Sequence, residues 1–340
     1  MRPRPANVSP PPLCILGAGA WGTALAVLLA HNNAPVLLWG HNAEHMTRLA
    51  KERGNERFLP GVAFPNSLQV SADLTHVLGV AHDCLIAVPS HAFRETLSRL
   101  APHLKPHMRV AWATKGLEPE SGKLLHEVAQ ELIGARATAV ISGPTFAREV
   151  AAGSPTALTV ASATAQFAAD LAARLHNDTF RAYTSDDVIG VELGGAIKNV
   201  LAIAAGIADG LGFGANTRAA LVTRGLAEMM RLGVALGGKR ETFMGLAGLG
   251  DLVLTCTDDQ SRNRRLGLAL ARGTALADAL RDIGQIVEGV PTAREVMRLA
   301  KAHKIEMPIS EQVYCVLHEN KNPRAAVQAL LAREQKAETI

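Results

Sequence analysis

The sequence predicts an α/β protein in which an N-terminal Rossmann-like, doubly wound domain is followed by an all-α C-terminal domain. Three observations carry this expectation. Short apolar runs alternate with helical patterns through the first half of the 340 residues, the signature of βαβ units on a mainly parallel sheet. A Gly17-Ala18-Gly19-Ala20-Trp21-Gly22 stretch follows the first of those runs and opens a helix. Beyond about residue 186 only helical patterns occur.

Leu13–Leu16 reads as the first strand and residues 20–31 as the first helix; Val36–Trp39 and residues 43–53 repeat the pair. Further strands read at Cys84–Val88, stopped by Pro89, and at Val110–Ala113, Ala137–Ile141 and Thr156–Val160. The second half carries helical patterns at residues 187–211, 217–236, 262–272, 274–283, 291–303 and 323–333. The expected division is a disordered proline-rich leader (1–12), a dinucleotide-binding domain (13–187) and a helical substrate domain (188–340).

Composition narrows the function. The net charge is only +4, and the basic residues are dispersed without interleaved aromatics. That argues against a nucleic-acid partner and suits a small anionic substrate. Cys14, Cys84, Cys256 and Cys315 are far apart in sequence and form no C-x-x-C pair. Metal ligation and a disulfide framework are therefore not expected; free thiols in a reducing cytoplasm are. The opening residues have no apolar core and do not read as a signal peptide. No run makes a secure membrane span. The most apolar stretch, residues 188–208, carries Glu192, Lys198, Asn199 and several glycines and reads as a buried core helix.

In the glycine stretch each position has a physical task. Gly17 permits a tight turn, Gly19 lets a pyrophosphate approach the backbone, and Gly22 lets the helix pack against the strand. The helix N-terminus offers free N–H groups to phosphate. The second strand ends Leu38-Trp39-Gly40-His41-Asn42, without the acidic residue that would bind a ribose 2′-hydroxyl. The nearest, Glu44, lies inside the next helix. A pocket with His41 and no acid does not repel a 2′-phosphate, so NADP(H) is expected to be accepted beside NAD(H).

Lys198 is the only basic residue between Arg181 and Arg218. An ammonium in such apolar surroundings shifts its pKa or finds a partner, and a lysine drawn toward neutrality transfers protons well. Its helical neighbours Gly194, Gly195 and Ala202 are small, which predicts room for a small substrate beside it; a lysine snorkelling from a closely packed helix is the alternative. Lys115 follows a strand, where ligands of open α/β sheets gather. In Ser142-Gly143-Pro144-Thr145 the proline is placed as the first residue of a helix. Asp251 follows Gly248 and Gly250 and either caps a helix or positions against Lys198. Ser261-Arg262-Asn263-Arg264-Arg265 gathers three guanidiniums, able to bind phosphate or to form a solvated basic face.

Together these stretches resemble the bacterial-type NAD(P)-dependent glycerol-3-phosphate dehydrogenase family. The likeness runs through Gly17–Gly22, Lys115-Gly116, Ser142–Thr145, Glu192-Leu-Gly-Gly-Ala-Ile-Lys198-Asn199, Gly248–Leu252, Ser261–Asn263 and Gly284–Gly289. The Glu192–Asn199 and Ser261–Asn263 stretches are the most specific. The resemblance implies interconversion of dihydroxyacetone phosphate and sn-glycerol 3-phosphate, toward the latter for phospholipid synthesis. It implies Lys198 as the proton-transfer residue; in the mechanism this suggests, Lys115 is expected to add electrostatic stabilisation and Asp251 to orient Lys198. Lys115, Gly143, Thr145, Lys198, Asp251, Ser261, Arg262 and Asn263 match substrate-contacting positions. Trp21, His41, Lys115, Ala147, Arg262, Ile286 and Glu288 match cofactor-contacting ones, beside Gly17, Gly19, Ala20 and Gly22 of the glycine stretch read above as the cofactor's cradle. Ala20 departs from the family's usual serine and removes one hydroxyl contact to the cofactor phosphates. A homodimer is compatible with the apolar helical half. Related β-hydroxyacid dehydrogenases also pair a Rossmann domain with a helical one and use a helix lysine; the arginine cluster favours a phosphorylated substrate.

Overall fold

A computed structural model describes residues 11–334; all but the last two residues of the expected leader lie outside the described residues. Among the described residues ten strands form: β1 (Leu13–Leu16), β2 (Val36–Trp39), β3 (Gly54–Asn55), β4 (Leu59–Ala63), β5 (Leu68–Ser71), β6 (Asp83–Ile86), β7 (Arg109–Trp112), β8 (Thr138–Ser142), β9 (Thr156–Ala161) and β10 (Phe180–Ser185). Eight of them make one sheet in the order β10-β9-β8-β7-β6-β1-β2-β5, and β3 pairs with β4 in a separate hairpin. All pairings in the large sheet are parallel except β8 with β9. All four residues of β1, β2 and β6 are buried, as expected for central strands covered on both faces.

Among the described residues seven α-helices accompany the sheet: α1 (Ala20–His31), α2 (Ala43–Glu52), α3 (Leu74–Val80), α4 (Phe93–Leu100), α5 (Leu125–Ile133), α6 (Ala147–Ala151) and α7 (Ala165–Leu175). Nine follow it: α8 (Val188–Gly210), α9 (Ala215–Ala235), α10 (Arg240–Phe243), α11 (Asp251–Thr257), α12 (Arg262–Ala271), α13 (Leu276–Ile283), α14 (Gly289–His303), α15 (Pro308–His318) and α16 (Pro323–Leu331). A π-helical turn at Leu246–Gly250 leads into α11. The fold is therefore a Rossmann-like parallel-sheet part followed by a helical part, as the sequence predicts.

The edge strand β10 escapes sequence reading because its Arg181, Tyr183 and Thr184 leave it without an apolar run. The hairpin β3–β4 is short and mostly exposed after its first residues. Helices α10 and α11 are hidden by the glycines around them, and α15 starts at a proline.

Helix α8 is the axis of the second half and packs against α9, α11, α12, α14 and α15. It starts where Asp187 Oδ1 accepts the Gly190 N–H at 2.8 Å, an N-cap. Among the described residues it is the one helix long and apolar enough to cross a membrane. Yet 83% of its most apolar window is buried inside the fold, which makes it the expected core helix. It meets α12 backbone to backbone: a Cβ on Gly206 would lie 2.1 Å from the Arg264 carbonyl oxygen, and one on Gly267 2.2 Å from that of Ile203.

The four cysteines are free. Cys14 and Cys84, distant in sequence, are partners across β1 and β6 with their sulfurs 3.2 Å apart.

Candidate active site

The carboxyl ends of β1, β2, β6 and β7 open onto a cleft of about 890 Å³ that reaches α8, α12 and the loop before α14. Ligands of open α/β sheets bind at this edge. The fit of a dinucleotide rests on the backbone here. Gly17 has φ +125, and a Cβ on it would meet the Ala87 carbonyl oxygen at 2.6 Å. A Cβ on Gly22 would lie 1.9 Å from the Gly17 carbonyl oxygen, so only glycine lets α1 start this close to the turn. Around Gly19 nothing lies within 4 Å of that position, leaving the backbone open to a bulky anion. The Trp21 indole nitrogen is buried without a hydrogen-bond partner although its side chain lines the cleft. These residues fit a dinucleotide.

At the floor of the cleft lies a charged cluster. Lys198, 7% exposed, donates to Asp251 Oδ1 at 2.7 Å and to Thr255 Oγ1 at 2.8 Å. Thr255 in turn donates to the Asp251 carbonyl at 2.6 Å, which leaves its oxygen free to accept. Lys115 donates to Asp251 Oδ2 at 2.6 Å and to the Gly143 carbonyl at 3.1 Å. One buried carboxylate is thus shared by two ammonium groups. Burial pulls the Lys198 pKa down to about 8; Asp251 opposes this and Lys115 adds to it. Burial pushes Asp251 up, but the two lysines outweigh it and hold the carboxyl below its usual range. Two of the three Lys198 hydrogen-bond directions are taken by Asp251 and Thr255, and the residue lines the cleft. Cys256, next to Thr255, is pushed up to about 12 by burial and stays a thiol rather than a nucleophile.

The two glycines beside Lys198, Gly194 and Gly195, are packed against the protein itself and not left open for substrate, contrary to expectation. A Cβ on Gly194 would sit 2.5 Å from the Ala247 carbonyl oxygen, and one on Gly195 2.8 Å from Ser142 Oγ and 3.5 Å from Lys115 Cγ. They admit the π-turn and the Lys115 loop, and this close approach assembles the cluster. The helix expected to begin at Pro144 begins instead at Ala147. Gly143 serves through its carbonyl to Lys115, and a Cβ there would lie 2.8 Å from Leu158 Cα. Asp251 both opens α11 and positions against Lys198.

Of the residues expected in the site, Gly17, Gly19, Ala20, Trp21, His41, Lys115, Thr145, Ala147, Lys198, Ser261, Arg262, Asn263, Ile286 and Glu288 line the cleft. Gly22, Gly143 and Asp251 lie behind its surface. Ser261 caps α12, accepting the Arg264 N–H at 3.2 Å. Asn263 donates to Asn199 Oδ1 at 2.8 Å and accepts the Gly289 N–H at 2.9 Å, so much of its capacity ties α8, α12 and α14 together. The arginine cluster splits: Arg264 is buried in ion pairs with Asp209 and Asp259, whereas Arg262 and Arg265 face the cleft. Glu288 accepts from Ser90 Oγ at 2.7 Å and joins the helical part to the loop after β6.

Sequence reasoning missed Thr255, whose spacing of four from Asp251 on a helix was the available signal. It also left Glu192 without a task. Glu192 accepts from the Trp112 indole and the His126 backbone, both at 3.0 Å, and from His126 Nδ1 at 2.6 Å. This pins α8 to the strand that delivers Lys115.

Comparison with known proteins agrees with this geometry. Residues 12–168 match the model of the NAD-dependent glycerol-3-phosphate dehydrogenase N-terminus, and residues 187–328 that of its C-terminus. The chain is 60% identical over 325 residues to a glycerol-3-phosphate dehydrogenase [NAD(P)+] of Nitrosococcus oceani, covering 95% of this chain and 94% of that one. It is 56% identical to the Vibrio cholerae protein of the same name, covering 97% and 96%. The crystal structure of glycerol-3-phosphate dehydrogenase from Coxiella burnetii superimposes with a TM-score of 0.93 at 52% identity, covering 95% of this chain and 99% of that one. The chain belongs to the NAD-dependent glycerol-3-phosphate dehydrogenase family.

Proposed function

We infer that the protein catalyses the reversible, NAD(P)H-dependent reduction of dihydroxyacetone phosphate to sn-glycerol 3-phosphate. The observation that carries this reading is the Lys115–Asp251–Lys198 cluster at the floor of a cleft whose far wall is a glycine cradle for pyrophosphate. When bound, the nicotinamide supplies the hydride. Gly17, Gly19, Trp21, His41, Ala147, Ile286 and Glu288 would hold the dinucleotide along the strand ends.

The chain's own residues do the rest. Arg262 would hold the substrate phosphate through its planar guanidinium, with Thr145, Ser261 and Asn263 at the same wall. As the carbonyl is reduced, negative charge grows on its oxygen. Lys198, oriented by Asp251 and Thr255, donates a proton there through its remaining N–H. Lys115 adds a second positive charge in a partly dry site, where it counts for more than in water. In the reverse direction neutral Lys198 removes the hydroxyl proton.

A division of labour after residue 187 belongs to the same reading, the sheet ending at Ser185 and α8 starting at Val188. So does a cytoplasmic location supplying phospholipid synthesis, which the four free cysteines support. A homodimer is supported by Val234 and Leu331, apolar side chains 49% and 76% exposed beside a groove between α9, α15 and α16.

The test is an assay of dihydroxyacetone phosphate with NADPH and with NADH in parallel. Turnover with at least one is expected. Inactivity with both, alongside oxidation of 6-phosphogluconate or hydroxyisobutyrate, would overturn the reading.

A further inference from the structure

The far end of the cleft, beyond β2, carries an arm that the mechanism does not use. The chain leaves α2, forms the β3–β4 hairpin and returns to the sheet at β5. The arm is anchored, not loose. Asn55, fully buried, donates to the Ala18 carbonyl at 3.1 Å and to Thr23 Oγ1 at 2.8 Å. This ties the arm to the glycine turn itself. Two residues further on, Arg57 and Phe58 line the cleft. The Arg57 guanidinium carbon lies 5.0 Å from the centre of the Phe58 ring, and Phe58 meets the His45 ring edge-on at 5.5 Å.

His45 lies against the arm through Phe58. It is 8% exposed, it lines the cleft, and neither ring nitrogen makes a well-formed hydrogen bond, the Ala18 backbone being the one hydrogen-bonding group that acts on the ring. A buried imidazole this poorly satisfied leaves hydrogen-bonding capacity for a group that docks against it. His41 lines the same cleft, just past the end of β2 where a dinucleotide places its adenosine ribose. Among the residues lining the cleft Glu288 is the one carboxylate, and it sits at the opposite, α14 end, engaged by Ser90. The lining of the ribose end therefore offers a guanidinium and imidazoles and no acid, while Arg48 and Glu52 act on His45 from outside that lining.

We propose that Arg57, presented by the Asn55-anchored arm, is the residue that selects a 2′-phosphate on the adenosine ribose, with His41 and His45 completing the site. A guanidinium forms paired, charge-assisted hydrogen bonds to a phosphate and has nothing comparable to offer a bare 2′-hydroxyl. The proposal rests on the dinucleotide cleft described above but not on turnover, and it makes the choice of NADPH over NADH a property of the arm.

The test uses fragments that do not react. Titration calorimetry of the whole protein with adenosine 2′,5′-bisphosphate and with 5′-AMP should show the bisphosphate binding about tenfold or more tightly. Arg57→Ser should remove that difference while leaving the AMP affinity and the thermal midpoint unchanged; Arg57→Lys should keep part of it. In the assay, the same Arg57→Ser change should raise KM for NADPH about tenfold and leave that for NADH alone. The proposal is overturned if the wild type does not prefer the bisphosphate. It is also overturned if Arg57→Ser weakens both fragments equally, which would mean adenine stacking. A failed dehydrogenase reading would show as absent turnover with either cofactor, and the fragment titrations would still decide the role of Arg57.

Discussion

At the scale of single residues one carboxylate between two ammonium groups sets the chemistry. Asp251 serves Lys198 and Lys115 with different oxygens, and this fixes both nitrogens relative to the cleft. Sequence alone left open whether burial or Asp251 would dominate the charge on Lys198. In the structure burial wins and the Lys198 pKa is drawn to about 8. The sign of the pH dependence follows. Reduction needs the ammonium, so its rate should hold below the Lys198 pKa and fall as pH rises through about 8. Oxidation needs the neutral amine and should rise through the same range. Asp251→Asn removes the group that opposes burial, so the midpoint should move to lower pH. Turnover at pH 7 should fall by about tenfold or more, the scale of an impaired general acid. Full pH profiles of both directions check this. An Asp251→Asn enzyme with an unmoved midpoint would detach Asp251 from Lys198.

Elements matter because the site is spread over several of them. Helix α8 brings Lys198 and Asn199, α11 brings Asp251 and Thr255, α12 brings Arg262 and Asn263, and the loop after β7 brings Lys115. What sets their spacing is glycine. Gly206 and Gly267 let α8 and α12 touch along their backbones, and Gly194 and Gly195 do the same for the π-turn and the Lys115 loop. Gly206→Ala should push α12 outward. We expect a loss of about 1–3 kcal/mol, typical of overpacking, and a higher KM for dihydroxyacetone phosphate, with KM for the cofactor little changed. Thermal unfolding and steady-state kinetics on one preparation test both parts. Glu192→Ala should cost about 1–3 kcal/mol through the buried Trp112 and His126 donors it would strand. The matching measurement is denaturant unfolding, and a neutral result would remove Glu192 as the pin between α8 and β7.

The same elements show how far a sequence can be read. The strand ends β1 and β2, the start of α1 and the span of α8 are legible because apolar runs, glycines and helical periodicity coincide there. Lys198 is legible because a charge in an apolar helix is conspicuous. The glycines beside it mislead: small residues signal close approach, and sequence does not say whether a ligand or the protein makes it. Arg57 and His45 were illegible because their meaning comes from an arm folded onto the glycine turn by Asn55, a contact across 37 residues. Thr255 was overlooked inside a glycine-flanked segment whose helical character the glycines hid.

For the whole molecule, the sheet part would supply the dinucleotide site and the helical part the proton and the phosphate anchor, so binding and chemistry should separate on mutation. If a 2′-phosphate is welcome at the β2 end, NADPH should support turnover at least as well as NADH, which parallel kcat/KM measurements decide; a strong NADH preference would contradict it. The most direct measurement concerns Lys198→Ala, followed by NADPH fluorescence titration and by dihydroxyacetone phosphate turnover on the same sample. Binding of NADPH should survive within a few-fold, because the glycine cradle is untouched, and turnover should fall by about 100-fold or more, as befits removal of a general acid. Turnover near that of the wild type would contradict the assignment of Lys198 as the proton donor, and with it the central claim about the cluster at the floor of the cleft.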